Sequence, residues 1–69
     1  MVNVKINSDY ITLGQFLKFS GIISNGGEAK IMVKVLKISV NNASEDRRGR
    51  KLYPGDVIKV EKESYKIVK

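Results

Sequence analysis

The sequence contains no cysteine, no histidine, no tryptophan and a single proline. Without cysteine there is neither a disulfide framework nor a thiolate nucleophile. Secreted domains of this size commonly depend on disulfide staples, so the composition predicts a protein of the reducing cytoplasm. Without histidine and cysteine together, zinc loses its usual ligands and no Ser–His or Cys–His couple can be assembled. No apolar run approaches the roughly 20 residues that span a bilayer, and the opening Met1-Val2-Asn3-Val4-Lys5-Ile6 lacks the apolar core of a signal peptide.

What is present is positive charge. Thirteen Lys and Arg oppose seven Asp and Glu in 69 residues, a formal net charge of +6. Apolar residues make up 42% and charged residues 29%, a globular rather than a disordered composition. The length accommodates one small domain, residues 1–69, with a modest core. The charge favours a polyanionic partner, nucleic acid before membrane, because no long amphipathic helix with interfacial aromatics accompanies it.

Val2, Val4 and Ile6 alternate with Asn3 and Lys5, the period of a half-buried strand. Thr12-Leu13-Gly14-Gln15 has the form of a capping box, and Leu13, Phe16 and Leu17 make one apolar stripe of a short helix. Gly21 is placed to terminate it. Asn25 with Glu28 offers a second cap. In the following helix Ala29, Met32, Val33 and Leu36 form a core stripe that Ile31 and Val35 widen, predicting burial on most sides. Lys30, Lys34 and Lys37 share the remaining ridge.

Ile38 and Val40 read as a strand, residues 42–51 as a polar loop or irregular hairpin, and Tyr53-Pro54-Gly55-Asp56 as a type II turn. Val57–Val60 and Tyr65–Val68 are the last strands, joined around Glu61-Lys62-Glu63-Ser64. This order predicts an α+β fold, two short packed helices against a small, mostly antiparallel sheet.

Arg47-Arg48-Gly49-Arg50-Lys51 places four positive charges in five residues. Arginine's planar fork suits phosphate, and charges crowded in this way repel one another unless something offsets them. The lysine ridge reads either as a second part of that surface or as a solvated face. Gly26 and Gly27 either offer backbone N–H groups to a phosphate or close a tight inter-helix loop. Tyr53, two residues beyond the basic run, is a candidate stacking platform. Phe16 is assigned to the core, with Phe19 flanking it. The carboxylates show no paired-acid pattern and no nucleophile has a partner base, so no catalytic or metal-ligating residue is assigned.

These segments resemble a known family. Thr12-Leu13-Gly14-Gln15-Phe16-Leu17-Lys18, Gly21-Ile22-Ile23 and Asn25-Gly26-Gly27-Glu28-Ala29-Lys30 are similar to the two-helix signature of the S-four (αL-motif) RNA-binding domain. Val40-Asn41-Asn42 and Gly55-Asp56-Val57-Ile58 match its following strands. The run from Arg47 to Asp56 resembles the small stand-alone bacterial members of the YaaA/YbcJ type. Where the broader family often carries arginine, aspartate and Ser-Arg, this chain has Thr12, Gly14 and Asn25-Gly26.

The resemblance implies an RNA-binding module, and the residue inventory adds the expectation that it is non-catalytic, without cofactor, membrane or small-molecule substrate. Its partner would be ribosomal RNA, a ribosomal particle or transfer RNA, and it would act as a monomer. Lys18, Lys30, Lys34, Arg47, Arg48, Arg50 and Lys51 would face the phosphates. The competing expectation is an adaptor module with an acidic protein partner. A β-grasp sulfur carrier is disfavoured, since such carriers end in Gly-Gly and this sequence ends Ile67-Val68-Lys69.

Overall fold

The computed structural model describes residues 1–69. In chain order the elements are β1 (Val2–Lys5), β2 (Ile11–Thr12), α1 (Leu13–Phe19), a 3-10 turn (Gly26–Glu28), α2 (Ala29–Val35), β3 (Ile38–Val40), β4 (Ala43–Ser44), β5 (Lys51–Leu52), β6 (Val57–Val60) and β7 (Glu63–Val68). The main sheet has the order β1-β7-β6-β3-β4, with β1 parallel to β7 and every other pairing antiparallel. A separate antiparallel ribbon pairs Ile11 with Leu52 and Thr12 with Lys51. The fold is the expected α+β arrangement.

Side-chain alternation divides the sheet into two faces. Val4, Ile38, Val40, Ile58, Val60 and Ile67 are buried, while Lys59 and Lys66 are exposed on the other side. Leu13, Phe16 and Leu17 of α1 and Ala29 and Val33 of α2 join the buried side in one core with Leu52 and Ile23. Phe16 packs edge-on against Tyr65, with ring centroids 5.1 Å apart. At a fully buried position of this kind, truncation to alanine costs about 3–5 kcal/mol.

The helix ends follow local chemistry. Thr12 Oγ1 accepts from the Gln15 N–H at 3.2 Å, and Gln15 Oε1 accepts from the Thr12 N–H at 2.9 Å. Gly21, at φ 77°, closes α1 in a Schellman arrangement: the Gly21 N–H reaches the Lys18 carbonyl and the Ile22 N–H reaches that of Leu17, each at 3.0 Å. Asn25 and Glu28 form the second capping box.

Two turns owe their shape to side chains. Asn41 and Asn42 carry φ of 52° and 71° between β3 and β4, the paired left-handed residues of a tight hairpin. The Asn41 amide donates to Asp56 Oδ1 at 3.1 Å and accepts from the Val57 N–H at 2.9 Å, which ties this hairpin to the next turn. That next turn is Tyr53-Pro54-Gly55-Asp56, with Gly55 at φ 98° and the Asp56 N–H on the Tyr53 carbonyl at 2.9 Å.

Two expectations are corrected. Ile31 and Val35 are 64% and 69% exposed, so α2 buries one stripe rather than most of its circumference. A seven-residue helix laid against a single layer has neighbours on one side only, and hydrophobicity at i and i+4 cannot report what lies above it. Phe19 is 68% exposed and stands clear of the core it was expected to flank, because α1 ends there and the chain turns away at Gly21.

Candidate nucleic-acid interface

An α-helix begins with backbone N–H groups that lack intrahelical partners. In α1 two of these are taken by the basic loop. The Leu13 N–H donates to the Arg50 carbonyl at 2.8 Å, and the Gly14 N–H donates to the Arg48 carbonyl at 2.9 Å. With the β2–β5 ribbon anchoring Lys51 to Thr12, these bonds lay residues 48–51 across the start of the helix. Gly14 permits the approach. A Cβ built there would lie 3.2 Å from the Ala29 Cβ and 3.4 Å from the Arg48 carbonyl oxygen.

The result is a groove of about 370 Å³ whose lining includes Gly14, Gln15, Lys18, Gly26, Ala29 and Arg48. Lys18 from α1 and Arg48 from the loop thus converge on one surface beside Gly26. The other expected residues are distributed around it. Lys30 and Lys34 are exposed on α2 without an ion-pair partner and do not line this groove. A Cβ at Gly27 would meet Asn25 Oδ1 at 3.2 Å, which favours the tight-loop reading at that glycine.

The crowded arginines have their counter-charge. Glu45 is 7% exposed. Its Oε2 accepts from the Asp46 N–H at 3.2 Å, the Arg47 N–H at 3.0 Å and Arg47 Nε at 2.9 Å. Its Oε1 accepts from Arg47 Nη2 at 3.1 Å and Arg50 Nη1 at 2.8 Å. Hydrogen bonding from the Arg47 side chain leads in holding this carboxyl down to about 2; Arg50 and the Arg47 backbone N–H act in the same direction, and burial opposes them. In return Arg47 is raised above its ordinary value, chiefly by its bond to Glu45.

Arg48 and Lys51 have no carboxylate partner. Lys51 Nζ instead sits 5.1 Å from the centroid of the Tyr10 ring. Tyr53 is 47% exposed and packs on Tyr10, with centroids 5.7 Å apart at 47°. It therefore extends an aromatic pair beside the loop and does not enter the groove.

Glu45 was missed when the sequence was read alone, although it stands two residues before Arg47 and five before Arg50. Its role depends on burial, which the polar composition of the segment does not disclose. No cluster of three or more His, Cys, Asp or Glu is placed to hold a metal ion, and no helix is long and apolar enough to cross a membrane.

Comparison with known proteins agrees with this architecture. The family model of the S4 domain matches residues 4–68. The chain is similar to a Bacillus subtilis (strain 168) protein named "Probable ribosome maturation protein RlbA", with 47% identity over 58 residues, covering 84% of this chain and 82% of that protein. No solved structure matches the chain. The capped helix pair, the sheet behind it and the match over nearly the whole length place this chain in the S4-domain family.

Proposed function

We propose that this protein is a non-catalytic, single-domain RNA-binding protein that engages structured ribosomal RNA in a free or assembling particle. One observation carries the reading: backbone bonds from Leu13 and Gly14 bring Arg48, which has no carboxylate partner, to the lining of one groove with Lys18. Lys51, Lys30 and Lys34 extend the positive surface, and Arg47 and Arg50 stand beside it on their Glu45 anchor. Phosphates are the ligand of this chemistry, because an arginine and a lysine without carboxylate partners line one groove. The B. subtilis relative's name supports a place in ribosome maturation; a cytoplasmic setting and action as a monomer belong to the same proposal.

Contacts to the backbone of a folded RNA read shape more than sequence. Affinity should fall with salt, with a log–log slope of about −0.7 per phosphate contact on single strands, hence on the order of −3 to −4 for four to six contacts. The test is fluorescence anisotropy with ribosomal RNA fragments from 50 to about 300 mM salt. Replacing Lys18 and Arg48 together by alanine should weaken binding and flatten the slope. Unchanged affinity and slope, with a nuclease-resistant acidic protein partner recovered instead, would overturn the proposal.

A further inference from the structure

Lys18 and Gln15 also line a second, larger cleft of about 850 Å³ beside the arginine groove. Its lining includes Lys5, Asp9, Tyr10 and Phe19 together with the shared Gln15 and Lys18. One aromatic ring stands open here, Phe19 at 68% exposure; Tyr10, at 39%, is already packed by Tyr53 and Lys51. Phe19 also lines a small neighbouring cleft of about 270 Å³. An unshielded phenyl ring at the end of a helix is costly to leave in water and adds nothing to the core.

Resting on the RNA-binding reading above, we infer that this cleft receives an unpaired nucleobase, stacked on Phe19, whose adjoining phosphates run past Lys18 into the Arg48 groove. Three observations select a base over an apolar peptide. The rim carries Lys5 and Lys18, and the single carboxylate on it, Asp9, is already 3.5 Å from Lys69 Nζ. The cleft adjoins the phosphate groove, the two sharing Gln15 and Lys18 in their linings, so that one strand passing these residues can reach both. Gln15 lines both clefts; its Oε1 is committed to the Thr12 N–H, which leaves its amide NH₂ as a donor for a base edge or phosphate oxygen.

Aromatic stacking and phosphate neutralisation leave different signatures. Losing a stacking platform lowers affinity without changing how many counterions are released, whereas losing a cation changes both. The experiment uses the full chain and two RNA hairpins of the same stem, one fully paired and one with a single bulged 2-aminopurine. The wild type should bind the bulged hairpin more tightly and quench its fluorescence.

Phe19→Ala should lower affinity for the bulged hairpin about tenfold. It should abolish the quench, leave the paired hairpin's affinity nearly unchanged and retain the wild-type salt slope. Phe19→Tyr should restore binding, and Phe19→Leu should not, because leucine keeps the apolar bulk without a π-face. Phe19 is exposed, so circular dichroism of these variants should match the wild type.

If Phe19→Ala and Phe19→Leu bind and quench as the wild type does while Arg48→Ala still weakens binding, the base site is overturned and the RNA-binding reading stands. If Lys18→Ala and Arg48→Ala also have no effect, the RNA-binding reading falls with it. A Phe19→Ala variant that loses only a protein partner, with both hairpins bound normally, likewise overturns the base site.

Discussion

Arg47 is joined to Glu45 by two parallel bonds along one edge of its guanidinium, Nε to Oε2 at 2.9 Å and Nη2 to Oε1 at 3.1 Å. The second oxygen also receives Arg50 at 2.8 Å, so one carboxylate orders two of the four cations in the loop. A run of positive charge that would repel itself as a free coil is thereby a built element.

This anchor makes stability depend on acid. The Glu45 carboxyl is lowered from 4.5 to about 2 in the folded protein. Between those values the unfolded chain binds the proton more readily, so the stabilisation from Glu45 is complete above about pH 4.5 and is lost as the pH falls to about 2. Glu45→Gln should destabilise the protein at pH 7 by about 2 kcal/mol, the size of hydrogen bonds to a charged group. The difference should shrink to near zero at pH 2. Urea unfolding midpoints of the two proteins at pH 7, 4, 3 and 2 check this, and a constant offset across that range would refute it.

Gly14 sets the distance between helix and loop. Alanine there gains helix propensity of about 1 kcal/mol and loses a similar amount to crowding against Ala29 and the Arg48 carbonyl, so Gly14→Ala should be nearly neutral. Gly14→Val cannot be absorbed and should cost about 2 kcal/mol. It should also push Arg48 from the groove and lower RNA affinity several-fold under conditions where the variant is folded. Gly26→Ala, which meets nothing within 4 Å, is the control and should change stability little. Thermal melts and RNA titration of the three variants decide the point.

The Asn41-Asn42 pair predicts opposite outcomes for the same substitution. Both residues carry positive φ, where glycine is ordinarily preferred. Asn41→Gly should nonetheless destabilise by about 1 kcal/mol, because it removes the amide that bonds Asp56 and the Val57 N–H. The Asn42 side chain has no such bonds, so Asn42→Gly should stabilise by a few tenths of a kcal/mol. Equal and like-signed shifts in denaturant midpoint would show that backbone conformation alone governs this turn.

The pattern of what could be read from the sequence follows the range of the interactions. Thr12 with Gln15, Asn25 with Glu28, and Pro54 with Gly55 are all resolved within four residues, and each formed where its spacing indicated. Ile31 and Val35 misled because their exposure depends on what faces α2, a fact of tertiary packing. Lys18 and Arg48 lie thirty residues apart in sequence and meet through the Leu13 and Gly14 backbone bonds, which no side-chain pattern encodes. Glu45 is intermediate: its closeness to Arg47 and Arg50 was visible, but the burial that gives it force was not. Lys30 and Lys34 kept the exposed ridge their spacing implied without reaching the groove.

The difference between paired and unpaired arginines orders their expected contributions to RNA binding. Arg48 has no intramolecular partner, so a phosphate gains its full attraction with only solvent to displace. Arg47 must either leave Glu45 or share it, and the nearby carboxylate offsets part of what a phosphate would gain. Arg48→Ala should therefore reduce affinity for a ribosomal RNA fragment about tenfold near 100 mM salt and flatten the log–log slope by roughly 0.7. Arg47→Ala should cost less in binding and more in stability, since it frees a buried anion. Glu45→Gln should move the other way, with tighter binding and a steeper slope at neutral pH, because it adds a net positive charge and releases both arginines. Anisotropy titrations at four salt concentrations, paired with urea unfolding of the same variants, separate these effects. Equal losses from Arg47→Ala and Arg48→Ala, with Glu45→Gln binding no more tightly, would show that Glu45 preorganises the arginines for phosphate rather than competing with it.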